Sequence, residues 1–346
     1  MAKPSGIIRV MVVDDSKLVR DMIRSILESE PGIVVAGEAA DGAEAVTRVA
    51  SLKPDIVTMD IEMPVMGGLE AIERIIAEHP VPILVVTALT GVRTAFAAVS
   101  KGALDVIEKP DISLENVRNL IHKIRVLAKV DVSSHLLTMG RRSGTAVVRG
   151  ATIQKHVSKG GVVAIAASTG GPQAIHSILT NLPAQFPVPI IITQHIADGF
   201  TQGMVDWLNA VTPLTVQIAG NGDILAAEHA YINPAEHSMR ITEQGKVIFC
   251  DGEASKVYHP SCNTLLSSVA AAYRERAIGL IMSGMGDDGV VGMQAIRKAG
   301  GTTLAQDAAS SVIYGMNRLA VECGCIDRVL ALADIPAELM QRVGGR

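Results

Sequence analysis

The sequence predicts an α/β protein with two domains, each built on a mainly parallel sheet with helices on both faces. Short apolar runs alternate with amphipathic helical patterns through the first third of the 346 residues, and a second alternation begins near residue 160. Alternation of this kind is typical of doubly wound sheets. We therefore predict one domain over 1–125, a linker over 126–158 and a second domain over 159–346.

Five apolar runs predict the strands of the first domain, and helical patterns such as 16–29 and 68–78 separate them. Right-handed crossovers place the carboxyl ends of parallel strands at one edge, so residues that bind a ligand are expected there. The five runs are IIRVMVV (7–13), IVVAGEA (33–39), DIVTMD (55–60), PILVVTA (82–88) and DVIEK (105–109).

The second domain repeats this organisation after a stretch rich in Ser, Gly, Lys and Arg that has no sustained periodicity. Seven apolar runs predict its strands, and a section around 229–250 is expected to form a small hairpin. Three helical stretches, at 172–181, 263–275 and 289–299, separate several of the strands. The runs lie at 161–167, 188–194, 215–219, 229–234, 246–250, 278–284 and 302–306.

Composition narrows the class of protein. Hydrophobic residues make up 48% and charged residues 19% of the chain, which is typical of a globular protein. Aromatics at 3% and a net charge of −4 argue against a nucleic-acid partner or direct membrane insertion. The N-terminus lacks a signal-peptide pattern, and the four cysteines show no paired spacing. We expect a cytoplasmic protein with free thiols.

Polar residues follow four strands of the first predicted sheet. Asp14 and Asp15 end the first strand, Asp60 the third, Thr87 the fourth and Lys109 the fifth. Clustered carboxylates repel one another unless a cation lies among them, and hard oxygen ligands suit Mg²⁺. A carboxylate beside that ion can accept a phosphoryl group. Taken singly, these aspartates could instead cap helices.

Three polar residues follow strands of the second domain in the same way. Ser168 precedes a Gly-Gly-Pro turn and a helix, which favours a hydroxyl presented at a helix N-terminus. His195 directly follows an apolar strand, and Asp288 lies in a Gly-rich turn after another. Each has a structural alternative, because Ser168 and Asp288 could cap helices and His195 could be a structural histidine. Together they satisfy what a nucleophile, base and orienting acid require.

The first domain resembles the flavodoxin-like receiver domain of bacterial two-component response regulators. The resemblance rests on MVVDDSKLVRDMI, DIVTMDIEMPVMGGLEAI, VVTALT and GALDVIEKP and extends over 7–125. It implies that Asp60 accepts a phosphoryl group from a histidine kinase. It further implies that Asp14, Asp15 and Asp60 bind Mg²⁺ with the backbone of Glu62.

The same resemblance implies that Lys109 contacts the phosphoryl group and that Thr87 is the switch hydroxyl. Two positions depart from the receiver pattern. Gly67 stands where an Asp is usual, and Val106 stands where many receivers have an aromatic residue. The second departure bears on the rotation of an aromatic ring during activation and leaves the phosphorylation chemistry unchanged.

The second domain resembles the catalytic domain of chemotaxis-type protein-glutamate methylesterases. The resemblance rests on AIAASTGGPQAI, TQHIADGF, AYINPAEHSM, HPSCNTLLSSVA, MSGMGDDGVVGM and AQDAASSVIYGM. It implies that Ser168 is the nucleophile, His195 the base and Asp288 the acid that orients it. Backbone amides near Thr169 and Met285 are the expected oxyanion donors. No cofactor is expected at this hydrolytic site.

The implied function is removal of methyl esters from glutamates of methylated chemoreceptors, with methanol released, and deamidation of receptor glutamines. The receiver is expected to cover the catalytic edge until Asp60 is phosphorylated. Asn263, Asp287 and Asn317 depart from the family pattern and affect only the expected contacts with substrate. A phosphorylation-controlled binding module with an inactive hydrolase-like domain is the alternative. A DNA-binding regulator would require a basic helix-turn-helix, which the second half lacks.

Overall fold

A computed structural model describes residues 6–88, 92–110, 113–133, 160–250 and 260–344. Its internal contacts divide the chain into two compact units, Met1–Leu137 and Thr138–Arg346. Residues 134–158 of the predicted linker lie outside the described residues. None of the described helices is long and apolar enough to cross a membrane.

The first unit contains the predicted five-stranded parallel sheet, in the order β2-β1-β3-β4-β5. Both faces of this sheet are buried, as the apolar runs predicted. Met11 and Val13 lie in the core on one face, and Val10 and Val12, which alternate with them along β1, are buried as well. The strands are β1 (Ile8–Val13), β2 (Ile33–Ala39), β3 (Ile56–Met59), β4 (Ile83–Thr87) and β5 (Asp105–Glu108).

Amphipathic helices connect these strands. The first begins after Ser16, whose hydroxyl accepts the N–H of Val19 at 3.5 Å. Ser16 and not Asp15 is therefore the cap of this helix. Asp15 lies at the sheet edge with the other two aspartates. The helices are α1 (Lys17–Glu28), α2 (Gly42–Leu52), α3 (Gly68–Glu78), α4 (Val92–Ser100) and α5 (Leu114–Leu127).

The second unit contains, among its described residues, a seven-stranded sheet in the order β14-β13-β12-β6-β7-β9-β8, with every neighbouring pair parallel. A separate antiparallel pair, β10 and β11, forms the small hairpin. The strands are β6 (Val162–Ala167), β7 (Ile190–Gln194), β8 (Thr215–Ile218), β9 (His229–Ile232), β10 (Ser238–Ile241), β11 (Val247–Cys250), β12 (Ala277–Ile281), β13 (Thr302–Gln306) and β14 (Arg328–Leu330).

This architecture confirms the predicted fold class, but the hairpin contains fewer residues than predicted. His229–Ile232 was expected within the hairpin section, but it pairs in parallel with β7 and β8 in the main sheet. The helices of this unit are α6 (Gly171–Leu179), α7 (Thr201–Val211), α8 (Cys262–Tyr273), α9 (Val290–Lys298), α10 (Met316–Glu322) and α11 (Ile335–Gly344).

Candidate active sites at the carboxyl edges of two sheets

The acidic residues of the first unit come together where the strand order reverses, between β1 and β3. Asp14, Asp15 and Asp60 each offer a carboxylate oxygen, and these oxygens lie within 4.8 Å of one another. Lys109 reaches the same point, with its Nζ 2.7 Å from Asp14 Oδ2 and 2.8 Å from Asp60 Oδ2. Open α/β sheets bind ligands at such a reversal.

The charges in this cluster are incompletely balanced. Burial raises the pKa of Asp14, although hydrogen bonds from Lys109 and from the Ser16 N–H act in the opposite direction. Burial lowers the pKa of Lys109, but its hydrogen bonds to Asp14 and Asp60 outweigh burial, and its pKa is raised overall. One ammonium thus contacts two of the three clustered carboxylates, those of Asp14 and Asp60. This donor set of closely spaced oxygens fits a hard divalent cation such as Mg²⁺.

Glu62 is close to this cluster in the chain, and Thr87 is linked to it through the backbone of Lys109. Thr87 is the buried last residue of β4, and its carbonyl accepts the backbone N–H of Lys109 at 2.9 Å. Glu62 is exposed two residues after Asp60. One Asp60 oxygen, Oδ1, accepts the N–H of Ile61 at 2.8 Å, while Oδ2 faces Lys109. Asp60 is therefore held in one orientation.

In the second unit, the predicted site residues follow three adjacent central strands, β12, β6 and β7. Ala167 and Gln194 are register partners at the ends of β6 and β7, so Ser168 and His195 are the next residues on neighbouring strands. The backbone N–H of His195 donates to Ala167 O at 3.0 Å. On the other side, the N–H of Ser168 donates to Ser283 O at 3.0 Å, just after β12.

Ser168 lies on a tight turn and does not cap the helix that follows. The cap of α6 is Gly170, which has φ +77° and therefore favours glycine. A Cβ at Gly170 would come within 2.5 Å of Val312 Cβ, so the turn also has no room for a side chain. Ser168 is less exposed than the sequence predicted, because only 8% of the residue is accessible to solvent.

Asp288 is held by His195 and by the N-terminus of α8. Its Oδ2 lies 2.9 Å from His195 Nε2 and accepts the Cys262 N–H at 2.6 Å. Its Oδ1 accepts the N–H of Asn263 at 2.9 Å and the hydroxyl of Ser261 at 3.3 Å. The alternative that Asp288 caps its own helix is wrong, because Gly289 is the cap of α9.

These donors determine the charge of Asp288. Burial raises its pKa, but the hydrogen bonds from His195 and from the backbone N–H groups of Asn263 and Cys262 outweigh burial and lower the pKa overall. Asp288 is therefore an ionised carboxylate beneath the imidazole. An ionised carboxylate only accepts hydrogen bonds, so Nε2 of His195 carries the hydrogen between them.

The loop that carries Met285 lies against Ser168. A Cβ placed on Gly284 would be 2.7 Å from the Ser168 Cβ, so these two segments touch. Ser283 connects them further, since its hydroxyl donates to Thr169 O at 2.7 Å. Thr169 directly follows Ser168, and Met285 directly follows Gly284, which lies against Ser168. Their backbone N–H groups stay a prediction as oxyanion donors.

Sequence reasoning missed Gln194, a buried side chain that links the two strand ends. Its Nε2 donates to Ser168 O at 2.8 Å and to His195 O at 2.9 Å. Gly171 makes room for it, because a Cβ there would lie 2.0 Å from Gln194 Oε1. The signal was a polar residue inside a buried strand, immediately before His195.

Asn263 was noted only as a departure from the family pattern, and the structure gives it a structural role. Its Oδ1 accepts the N–H groups of Gly289 at 3.0 Å and Gly292 at 2.9 Å, at the start of α9. The Asp288 carboxylate accepts N–H groups at the start of α8, and Asn263 on α8 accepts N–H groups at the start of α9. This exchange fixes Asp288 relative to both helices.

Comparisons with known proteins match both units of the chain. The family described as response regulator receiver domain matches residues 10–125, and the family described as CheB methylesterase matches residues 163–339. The catalytic domain of the Thermotoga maritima CheB methylesterase, a solved structure, is 34% identical with a TM-score of 0.51. That alignment covers 53% of this chain and 98% of that one.

Two curated relatives share the whole organisation. A protein-glutamate methylesterase/protein-glutamine glutaminase of Paramagnetospirillum magneticum is 44% identical over 98% of this chain and 97% of its own. One from Pyrococcus abyssi is 37% identical over 97% and 94%. The fold and the two family matches define a response regulator whose output domain is an enzyme domain built on a parallel sheet. Within that class, the chain belongs to the CheB methylesterase family.

Proposed function

We propose that this protein is a receiver-regulated protein-glutamate methylesterase and protein-glutamine glutaminase that acts on chemoreceptors. It hydrolyses glutamyl methyl esters with release of methanol and deamidates receptor glutamines. The observation that carries the proposal is the placement of Ser168, His195 and Asp288 after three adjacent strands, with His195 Nε2 2.9 Å from Asp288 Oδ2.

In the proposed mechanism, Nδ1 of His195 is the base, because Nε2 donates its hydrogen to Asp288. Ser168 loses its proton to Nδ1 and attacks the ester carbonyl, giving a tetrahedral intermediate. Nδ1 returns the proton to the departing methanol, and a water then cleaves the acyl-enzyme by the same route. Asp288 stays ionised throughout and stabilises the imidazolium.

The oxyanion of the intermediate is assigned to the backbone N–H groups of Thr169 and Met285. Thr169 directly follows Ser168, Gly284 before Met285 lies against Ser168, and the Ser283 hydroxyl donates to the carbonyl of Thr169. Donors fixed before the reaction stabilise the developing charge without reorganisation. Removal of one such donor costs about 10²–10³-fold in kcat in other hydrolases.

Regulation is assigned to Asp60, which accepts a phosphoryl group from a chemotaxis histidine kinase. The carboxylates of Asp14, Asp15 and Asp60, with the backbone of Glu62, would hold Mg²⁺. When bound, this ion supplies positive charge that offsets the charge of the transferred phosphoryl group. Lys109, which follows β5, would contact the phosphoryl group. The Thr87 hydroxyl would bind the same group and act as the switch.

The physiological partners and location follow from the same proposal. The substrate is the methylated cytoplasmic region of a chemoreceptor, and the enzyme acts in the cytoplasm. The inactive binding module is not favoured, because the Ser, His and Asp residues are all present and the His195–Asp288 contact is intact. The hydrolytic chemistry assigns no cofactor to this second site.

Release of labelled methanol from methylated receptor membranes tests the proposal. The intact chain should release methanol, and a small phosphodonor with Mg²⁺ should increase the rate. Ser168→Ala should lower the rate by at least about 10³-fold while Asp60 is still phosphorylated. Asp60→Asn should retain basal release and lose the response to the phosphodonor.

Two outcomes would contradict this assignment. Unchanged methanol release from Ser168→Ala would remove Ser168 as the nucleophile. For the regulation, a chain that lacks residues 1–150 should show higher basal release than the intact unphosphorylated chain. Equal or lower release from the shortened chain would rule out inhibition by the receiver.

A further inference from the structure

A thiol completes a cluster of metal-ligand atoms beside the catalytic histidine. Cys262 Sγ lies 3.5 Å from His195 Nε2, the nitrogen that also faces Asp288 Oδ2 at 2.9 Å. One ligand atom from each residue lies within 4.8 Å of the other two. Cys262 has no part in the ester hydrolysis described above, apart from its backbone N–H on Asp288.

The spacing of these atoms suits Zn²⁺. Zinc bonds of about 2.3 Å to sulfur and 2.0–2.1 Å to nitrogen place the two ligand atoms roughly 3.5 Å apart in a tetrahedron. The Sγ to Nε2 distance is 3.5 Å. The Nε2 to Oδ2 distance of 2.9 Å has to open by about half an ångström to match the same geometry. Nitrogen and sulfur donors favour zinc over magnesium.

Charge balance also supports a zinc site at this place. Cys262 is fully buried, Asp288 is 2% exposed, and the His195 side chain, 14% exposed, provides contact with solvent. A thiolate and a carboxylate together neutralise a divalent ion, so no net charge is buried. Without the thiolate, one positive charge would stay buried and unbalanced. The carboxylate is already oriented by Asn263 and Ser261.

We propose that His195, Cys262 and Asp288 form an inhibitory Zn²⁺ site, in which the metal takes the place of the proton between the imidazole and the carboxylate. The inhibitory consequence rests on the proposed function, whereas the binding itself does not. A zinc ion held by three protein ligands takes a water as its fourth ligand.

The chemistry explains the inhibition. Zinc displaces the thiol proton of Cys262 to solvent and bonds to the thiolate, so one proton is released for each ion bound. It also bonds to the Nε2 lone pair, and the imidazole proton moves from Nε2 to Nδ1. Because Nδ1 is then protonated, it cannot accept the Ser168 proton. The metal therefore stops acylation without touching the serine.

Inhibition of the full-length enzyme is the first test, with free Zn²⁺ set by a metal buffer and methanol release as the readout. Zinc should inhibit the wild type and a chelator should restore the rate. Cys262→Val and Cys262→Ser should each raise the half-inhibitory zinc concentration at least tenfold, measured against the variant's own metal-free rate. Cys323→Ser, which alters another thiol near Cys325, should behave as wild type.

Metal binding is measured separately from activity with Co²⁺ as the probe. The wild type, Cys323→Ser and the inactive Ser168→Ala should all show the absorption of a Co²⁺–thiolate bond, and both Cys262 variants should lose it. Retention of the band in the Cys262 variants with its loss in Cys323→Ser would overturn the site. Equal zinc inhibition of wild type and Cys262→Val would overturn it as well. A missing esterase activity would leave the cobalt result intact and would count only against the proposed function.

Discussion

Asp14 and Asp288 are buried carboxyl groups at the carboxyl edges of two similar sheets, yet their pKa values move in opposite directions. They are 1% and 2% exposed, and burial raises the pKa of both. Asp14 remains raised, because its donors are Lys109 and one backbone N–H while Asp60 adds a like charge. Asp288 is lowered by His195 and two N–H groups of a helix N-terminus.

The two pKa values shift in opposite directions because different groups surround each carboxylate. The same groups decide what a metal ion would do at each site. The acidic cluster of the receiver is short of positive charge, so a divalent cation completes it. Asp288 already accepts enough hydrogen bonds and stays ionised without a cation. In the proposals above, a cation in the hydrolytic site would replace the proton between His195 and Asp288. The proposed metal is therefore a cofactor in the receiver and an inhibitor in the second unit.

The largest expected effect that tests this comparison is that of Asp288→Asn. The amide should leave His195 in the wrong tautomer or orientation and lower kcat by about 10⁴-fold. Asp287→Asn changes the exposed neighbouring carboxyl and should stay within about threefold of wild type. Steady-state methanol release measures both. Similar rates for the two variants would mean that Asp288 does not orient the base.

Asp288→Asn also changes the pH dependence of stability. Because the folded pKa of Asp288 is lowered from its ordinary value of 3.8, its ionised form stabilises the fold above that value. This contribution is lost as the pH falls through the lowered folded pKa. The free energy of unfolding of Asp288→Asn should therefore approach that of wild type in strong acid. A constant difference across that range would contradict the sign of the shift.

A smaller effect is expected from Gln194→Leu, which removes the amide that links the backbones of Ser168 and His195. Two carbonyls lose a buried donor, and the reacting groups lose their fixed spacing, so kcat should fall by about 10–100-fold with KM little changed. Gln202→Leu, on the exposed face of α7, is the matched control and should leave both constants unchanged. A change in KM alone would assign Gln194 to substrate binding.

The strand ends were predictable from the sequence, because apolar runs and turn residues are local signals. They placed Ser168, His195 and Asp60 correctly relative to their strands. Strand β14 was not predicted, since Arg328 and Val329 are exposed and give no alternation. Strand β10 was not predicted as a separate run either; it pairs with β11 inside the section expected to form the hairpin.

Contacts between distant segments were not predictable, and they determine the chemistry of the hydrolytic site. The donors to Asp288 come from Cys262 and Asn263, whose place in the fold is set by the packing of α8 against α9. Local signals also favoured a helix cap for Ser168, whereas the left-handed Gly170 takes that position. The position of Cys262 beside His195 has no local signal at all.

The smallest expected effect concerns the receiver side of the comparison, through Asp14→Asn. The amide keeps the size of the side chain and removes one of three crowded carboxylates. The metal-free melting temperature should therefore rise by about 2–5 °C at neutral pH. Because the folded pKa of Asp14 is raised, its ionised form destabilises the fold above that pKa, and the penalty disappears as the pH falls toward 3.8.

Thermal melting with and without Mg²⁺ measures both parts of this prediction. The gain in melting temperature should shrink as the pH is lowered, and stabilisation by Mg²⁺ should be smaller in Asp14→Asn than in wild type. Asp21→Asn changes an exposed carboxylate paired with Lys17 and should keep the wild-type response to Mg²⁺. A metal-free Asp14→Asn that melts below wild type would show that Lys109 already balances the cluster. The opposite pKa shifts of Asp14 and Asp288 would then result from the arrangement of their hydrogen-bond donors and not from a shortage of positive charge around Asp14.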